Sequence, residues 1–128
     1  MASKELLVQA RTRKSEGAIS SGAIDLAHLK RATFGDEVLA REVLALFDAQ
    51  AERLLKAIAA ASTAQARREA AHALKGAALG VGANAVASAA AELEKVAGDS
   101  EEFGGASAHL SALVAVARLA IAGITARS

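Results

Sequence analysis

Of the 128 residues, 36 are alanine and none is proline, and this pairing constrains the fold more than any motif does. Alanine loses no side-chain entropy in a helix, and proline is the strongest helix breaker. Aromatic residues make up only 2% of the chain, which removes most of the large side chains that sheets favour. An all-α fold is expected, in one domain, because chains of about 100–150 residues usually form a single one.

Apolar spacing divides the chain. Residues 1–23 read as an N-terminal extension and linker. Within them, 1–14 can form a short helix carrying Leu6, Leu7 and Ala10, and Ser15-Glu16-Gly17 and Ser20-Ser21-Gly22 are linker-like. The domain proper is expected over 24–128. Asp25 reads as the N-cap of a short helix with Leu26 and Leu29, closed by Gly35. Asp36 caps a second helix over 37–60, where Leu44, Phe47, Ala51, Leu54 and Ile58 recur at buried-stripe spacing. Leu39, Val43 and Leu46 form a second apolar row beside that stripe.

Ser62 or Thr63 opens a third helix that runs to about Leu79, where the glycines at 80 and 82 break it. Ala70, Leu74 and Ala78 face inward; Arg67 falls near the same face, with a stem long enough to reach water. A fourth helix covers about 84–97, with Val86, Ala90, Leu93 and Ala97 inward and Asn84, Ser88, Glu92 and Lys95 wet. Residues 98–105 read as a turn-rich loop before a last helix over 106–125. Short connections between long amphipathic helices imply an up-and-down antiparallel four-helix bundle, with the short first helix covering one end.

Several function classes drop out. A net charge of +1 argues against a broad electrostatic nucleic-acid binder. The absence of cysteine excludes disulfides and thiolate metal sites. No HExxH, Walker loop or GxGxxG occurs, and no two histidines stand at metal-ligand spacing. Leu6-Leu7-Val8 is too short for a signal-peptide core. The longest uncharged stretch, 76–91, falls short of the ~20 apolar residues of a membrane span. A monomeric cytoplasmic protein that engages neither membrane nor nucleic acid is expected.

His72 stands apart from the other two histidines. It lies mid-helix, on the face opposite Leu74 and Ala78, with Arg68 one turn before it and Lys75 and Gly76 one turn after. A mid-helix glycine costs about 1 kcal/mol relative to alanine. In a chain this rich in alanine, Gly76 therefore asks for a reason, and close approach of another body next to His72 supplies one. An exposed neutral imidazole is a nucleophile, and Lys75 and Arg68 would offset negative charge on a phosphoryl group. Glu69 pulls the other way. A surface histidine among ordinary charged neighbours is the plainer alternative. His28 and His109 read as surface residues.

The run His72-Ala73-Leu74-Lys75-Gly76-Ala77, followed by Val81-Gly82, Val86 and Leu93-Glu94, resembles the signature of histidine-containing phosphotransfer (HPt) domains. Upstream, Ile24-Asp25-Leu26, Phe34-Gly35-Asp36, Leu44 and Phe47 are similar to that family's first two helices. The resemblance implies that His72 accepts a phosphoryl group from a receiver-domain aspartate and passes it to another receiver, reacting through its distal ring nitrogen. It implies that Lys75 assists and that Gly76 gives room. The partners it implies are response-regulator receiver domains and a hybrid or sensor histidine kinase. Mg2+ is expected on the receiver, with no cofactor bound by this chain and no ATP site of its own. Gly76, Leu79, Glu69, Leu39, Val43 and Leu46 are the candidate partner-contact residues. The phosphoacceptor domain of a sensor kinase is a poorer match: Ala73 follows His72, and the proline of that motif is missing. A non-catalytic helical adaptor that binds through apolar helix faces is the alternative from another class.

Overall fold

A computed structural model describes residues 22–126. The short helix expected over 1–14 and the linker up to Ser21 lie outside the described residues. Within them all regular structure is helical: α1 (Leu26–Ala32), α2 (Glu37–Ala60), α3 (Ala64–Val81), α4 (Asn84–Val96) and α5 (Ser100–Ala126).

Local chemistry explains where the helices start. The Asp25 carboxylate accepts the amide of His28 at 3.1 Å, and that of Asp36 accepts Leu39 at 3.0 Å. Of the two candidates at the head of α3, Thr63 is the cap, its Oγ1 accepting the Ala66 amide at 3.0 Å. Each cap satisfies an amide that the helix itself leaves unpaired.

Two sequence expectations are corrected. The first concerns Gly80, which does not break α3: the helix runs through it and ends at Gly82, whose φ is +80°. There the Ala83 amide donates to Ala78 and the Gly82 amide to Leu79, a Schellman closure. Glycine is needed at 82 for a second reason, since a Cβ would lie 2.9 Å from the Asp25 carbonyl oxygen. The Asp25 amide in turn donates to the Gly82 carbonyl at 2.8 Å, which seats α1 on the α3–α4 turn.

The second correction is that residues 100–105 are helical and not loop. Asp99 accepts the amides of Glu101 and Glu102, and Phe103 packs on the core beneath the Arg67 guanidinium, 4.2 Å from its ring centre. This packing outweighs the helix cost of Gly104 and Gly105. Arg67 therefore does not run to water: its Nη1 donates to the Ala97 carbonyl at 3.3 Å, tying α3 to the α4–α5 connection.

α2 packs on α3, α3 on α4, α4 on α5, and α5 returns to α2; α1 lies against α3 and α2. Phe47, Leu44, Ile58, Leu74, Leu93, Leu110 and Val114 fill the centre of the helical bundle, and Ile24 is fully buried just before α1. Alanines at 51, 71, 78 and 90 are buried between them, where small side chains let helices approach closely. α5 is long and apolar enough to cross a membrane on length and composition, its most apolar 18 residues having a mean hydropathy of 1.7. The uncharged-run reading passed over it because Arg118 interrupts the helix.

Candidate functional site

α3 has two distinct sides. Ala70, Ala71, Leu74, Ala78 and Val81 are buried, while Arg68, Glu69, His72, Gly76, Leu79 and Gly80 are exposed. The side chain of His72 is 70% exposed. A Cβ at Gly76 or Gly80 would meet nothing within 4 Å, so the helix surface beyond the ring, at i+4 and i+8, is flat backbone.

The ring has a partner that sequence reasoning passed over. His72 Nδ1 lies 3.2 Å from Oε2 of Glu94, which projects from α4. Lys75 Nζ lies 3.1 Å from Oε1 of the same carboxylate. Oε1 is sealed from solvent, and the ammonium meets it as an ion pair. Burial would raise the Glu94 pKa, but contact with Lys75 and then with His72 outweighs it and holds the carboxyl below the ordinary carboxylate value.

Glu94 is therefore ionised at neutral pH and can only accept. In the neutral ring, Nδ1 then carries the proton it donates to Glu94, and Nε2 keeps its lone pair. Among the described residues nothing hydrogen-bonds to Nε2. The arrangement is an oriented, exposed imidazole nucleophile with a carboxylate behind it and an ammonium one turn away. The sequence marked Leu93-Glu94 only as part of a motif. Nothing local shows that Glu94 reaches across to α3.

The other candidate residues fall in different places. Lys75 is not free beside His72, being held by Glu94. The Arg68 guanidinium donates to Gln65 Oε1 at 3.0 Å, and Gln65 Nε2 donates to Glu69 Oε1 at 3.0 Å. That exposed chain of polar contacts takes both Arg68 and Glu69 away from the ring. Leu79 is 50% and Leu46 58% exposed. Val43 packs against the core instead of facing outward, and Leu39 is half-buried. The groove between α1 and α2 is lined by Leu26, Leu29, Thr33 and Ala40 rather than by the Leu39 row.

His28 Nε2 lies 3.3 Å from the Gly80 carbonyl, beside the end of α3. His109 is exposed on α5. An exposed aromatic also went unassigned. Phe34 is 92% exposed and has φ +56°, taking the position at the end of α1 that glycine usually fills. Among the described residues no three His, Asp or Glu side chains gather as a metal site would require.

A family model described as the Hpt domain matches residues 39–124, more than half of the chain. Comparison with curated proteins and with solved structures gives no match.

Proposed function

The chain belongs to the Hpt domain family, phosphocarrier modules of two-component relays, and from that premise we propose that His72 is its phosphoacceptor. In this reading the protein takes a phosphoryl group from a receiver-domain aspartate and passes it to another receiver. The domain is residues 24–128, arranged as an up-and-down four-helix bundle with α1 across one end. The observation that carries the reading is the Nδ1–Glu94 contact, which leaves Nε2 free on a 70% exposed ring.

Nε2 attacks the phosphorus of the aspartyl phosphate. The P–N bond forms as the acyl P–O bond breaks, and the aspartate leaves as a carboxylate. Both ring nitrogens are then substituted, and the positive charge that develops on the ring is met by Glu94 through Nδ1–H. Lys75 provides the ammonium nearest the incoming phosphoryl oxygens. The Mg2+ of the reaction is held by the receiver's carboxylates. Beyond His72 the flat stretch at Gly76 and Gly80, edged by Leu79 and by Leu46 of α2, gives the receiver its footing.

The test is labelling by a phosphorylated receiver, scored as acid-labile, alkali-stable phosphate on this chain. His72→Gln should lower it to background with an unchanged circular dichroism spectrum, since Gln is a good helix former. Full labelling of that variant would move the acceptor to His28 or His109 and end the proposal.

A further inference from the structure

The groove between α1 and α2 takes no part in the site just described. Leu26, Leu29 and Ala40 give it apolar walls, and Asp36 and Glu37 line it where α2 begins. Its volume of about 210 Å3 falls below the ~300 Å3 at which small-molecule pockets begin, so it suits the side chains of a polypeptide. Phe34 stands between two lining residues, 92% exposed, with a φ of +56°. A bulky residue adopts that left-handed conformation only against steric resistance, and glycine would fit it without strain. An aromatic ring kept there in water is accounted for by an apolar partner that covers it.

We propose that this partner is the chain's own N-terminal segment, Leu6 to Lys14, laid along the groove. Leu6, Leu7 and Ala10 meet Leu26, Leu29 and Phe34, and the basic end of the segment meets Asp36 and Glu37. The tether leads there. The described chain begins at Gly22, and Leu26 lines both the hollow beside Gly22 and the groove itself.

The lengths match as well. At ~1.5 Å per residue α1 rises about 10 Å, and the helix expected over Leu6 to Lys14 covers about 12 Å. The chain from Lys14 back to Gly22 reaches at most about 26 Å, enough to return along α1. Charge fixes the direction. Residues 1–21 carry Lys4, Arg11, Arg13 and Lys14 against Glu5 and Glu16, with three of the cations together at 11–14. In the groove two carboxylates stand against Lys30, and among the described residues neither is in an ion pair.

Spin-label broadening in the full chain tests the proposal. The protein has no cysteine, so Ser3→Cys carries a single nitroxide just ahead of the segment. The amide signals of Leu29 and Ala40 should be lost, while that of Ala97, beside Arg67 at the other end of α3, keeps its intensity. Leu7→Asp and, separately, Phe34→Gly should restore the lost signals; glycine suits the left-handed turn, so the second variant keeps the fold. Spin-labelled chain mixed with unlabelled, isotope-enriched chain should broaden nothing. Intact Leu29 and Ala40 signals in the first sample, or losses that survive both variants, overturn the proposal. So does broadening in the mixed sample, which assigns the groove to the segment of a second copy.

Discussion

The outer faces of α3 and α5 are both open to solvent, for opposite physical reasons. On α3 the opening is polar and local: one ring, held by a carboxylate from the next helix, beside two bare glycines. On α5 it is apolar and extended, with Val116 and Leu119 standing above a bed of alanine. Glycine occurs on both faces, so glycine alone does not report what a face does. The neighbours decide it. Next to the exposed imidazole, a missing side chain leaves the ring accessible; on α5 it leaves a gap in a surface of alanine.

The sharpest test of this contrast is a large side chain placed on each face. Gly76→Leu should stabilise the fold by about 1 kcal/mol, since leucine is the better helix former. The same change should cut transfer from a receiver about 100-fold, equivalent to roughly 3 kcal/mol of barrier. Labelling by phosphoramidate should change little, because that donor needs little room. Unfolding of the variant, or untouched receiver transfer, would remove the access argument; Gly105→Leu on α5 should leave transfer alone.

A smaller effect should follow from Glu94→Gln. The amide keeps the shape but loses the charge that favours a cationic ring, and transfer should fall about tenfold, or ~1.4 kcal/mol. The pH dependence of stability checks the same group. Its pKa is lowered in the folded state, so its contribution is present above the ordinary carboxylate range and is lost as pH falls through the lowered value. Acid melting of the wild type should therefore be steeper than that of Glu94→Gln. Equal profiles would show that the carboxylate is not held as described.

The smallest effect belongs to α5. Gly123→Ala adds a methyl group where nothing lies within 4 Å and should raise stability by no more than about 1 kcal/mol. Thermal melting checks it, with receiver transfer unchanged.

What the sequence revealed and what it hid follow the reach of each interaction. Asp25, Asp36 and Thr63 cap helices through atoms three residues away, so a linear reading finds them. The start of α5 was misread because Gly104 and Gly105 signal a turn locally, while the opposing contact, Phe103 under Arg67, joins residues far apart in the chain. Gly80 misleads in the same way: two glycines are candidates to end α3, and the left-handed closure with the approach of Asp25 singles out Gly82. His72 stands out in the sequence because a glycine one turn on is out of character with the composition. Glu94 does not, because its link to the ring crosses from α4 to α3 and leaves no periodic trace.

The shared carboxylate also couples cargo to architecture. Oε2 faces the ring and Oε1 the lysine, so one side chain of α4 grips α3 at two points a turn apart. In the proposed function, phosphate on the ring would bring a rival anion to Lys75. Whatever share of the ammonium the phosphate draws is withdrawn from an oxygen that has no hydrogen-bond donor to replace it. Retaining the cargo and clasping two helices together thus compete for the same ammonium.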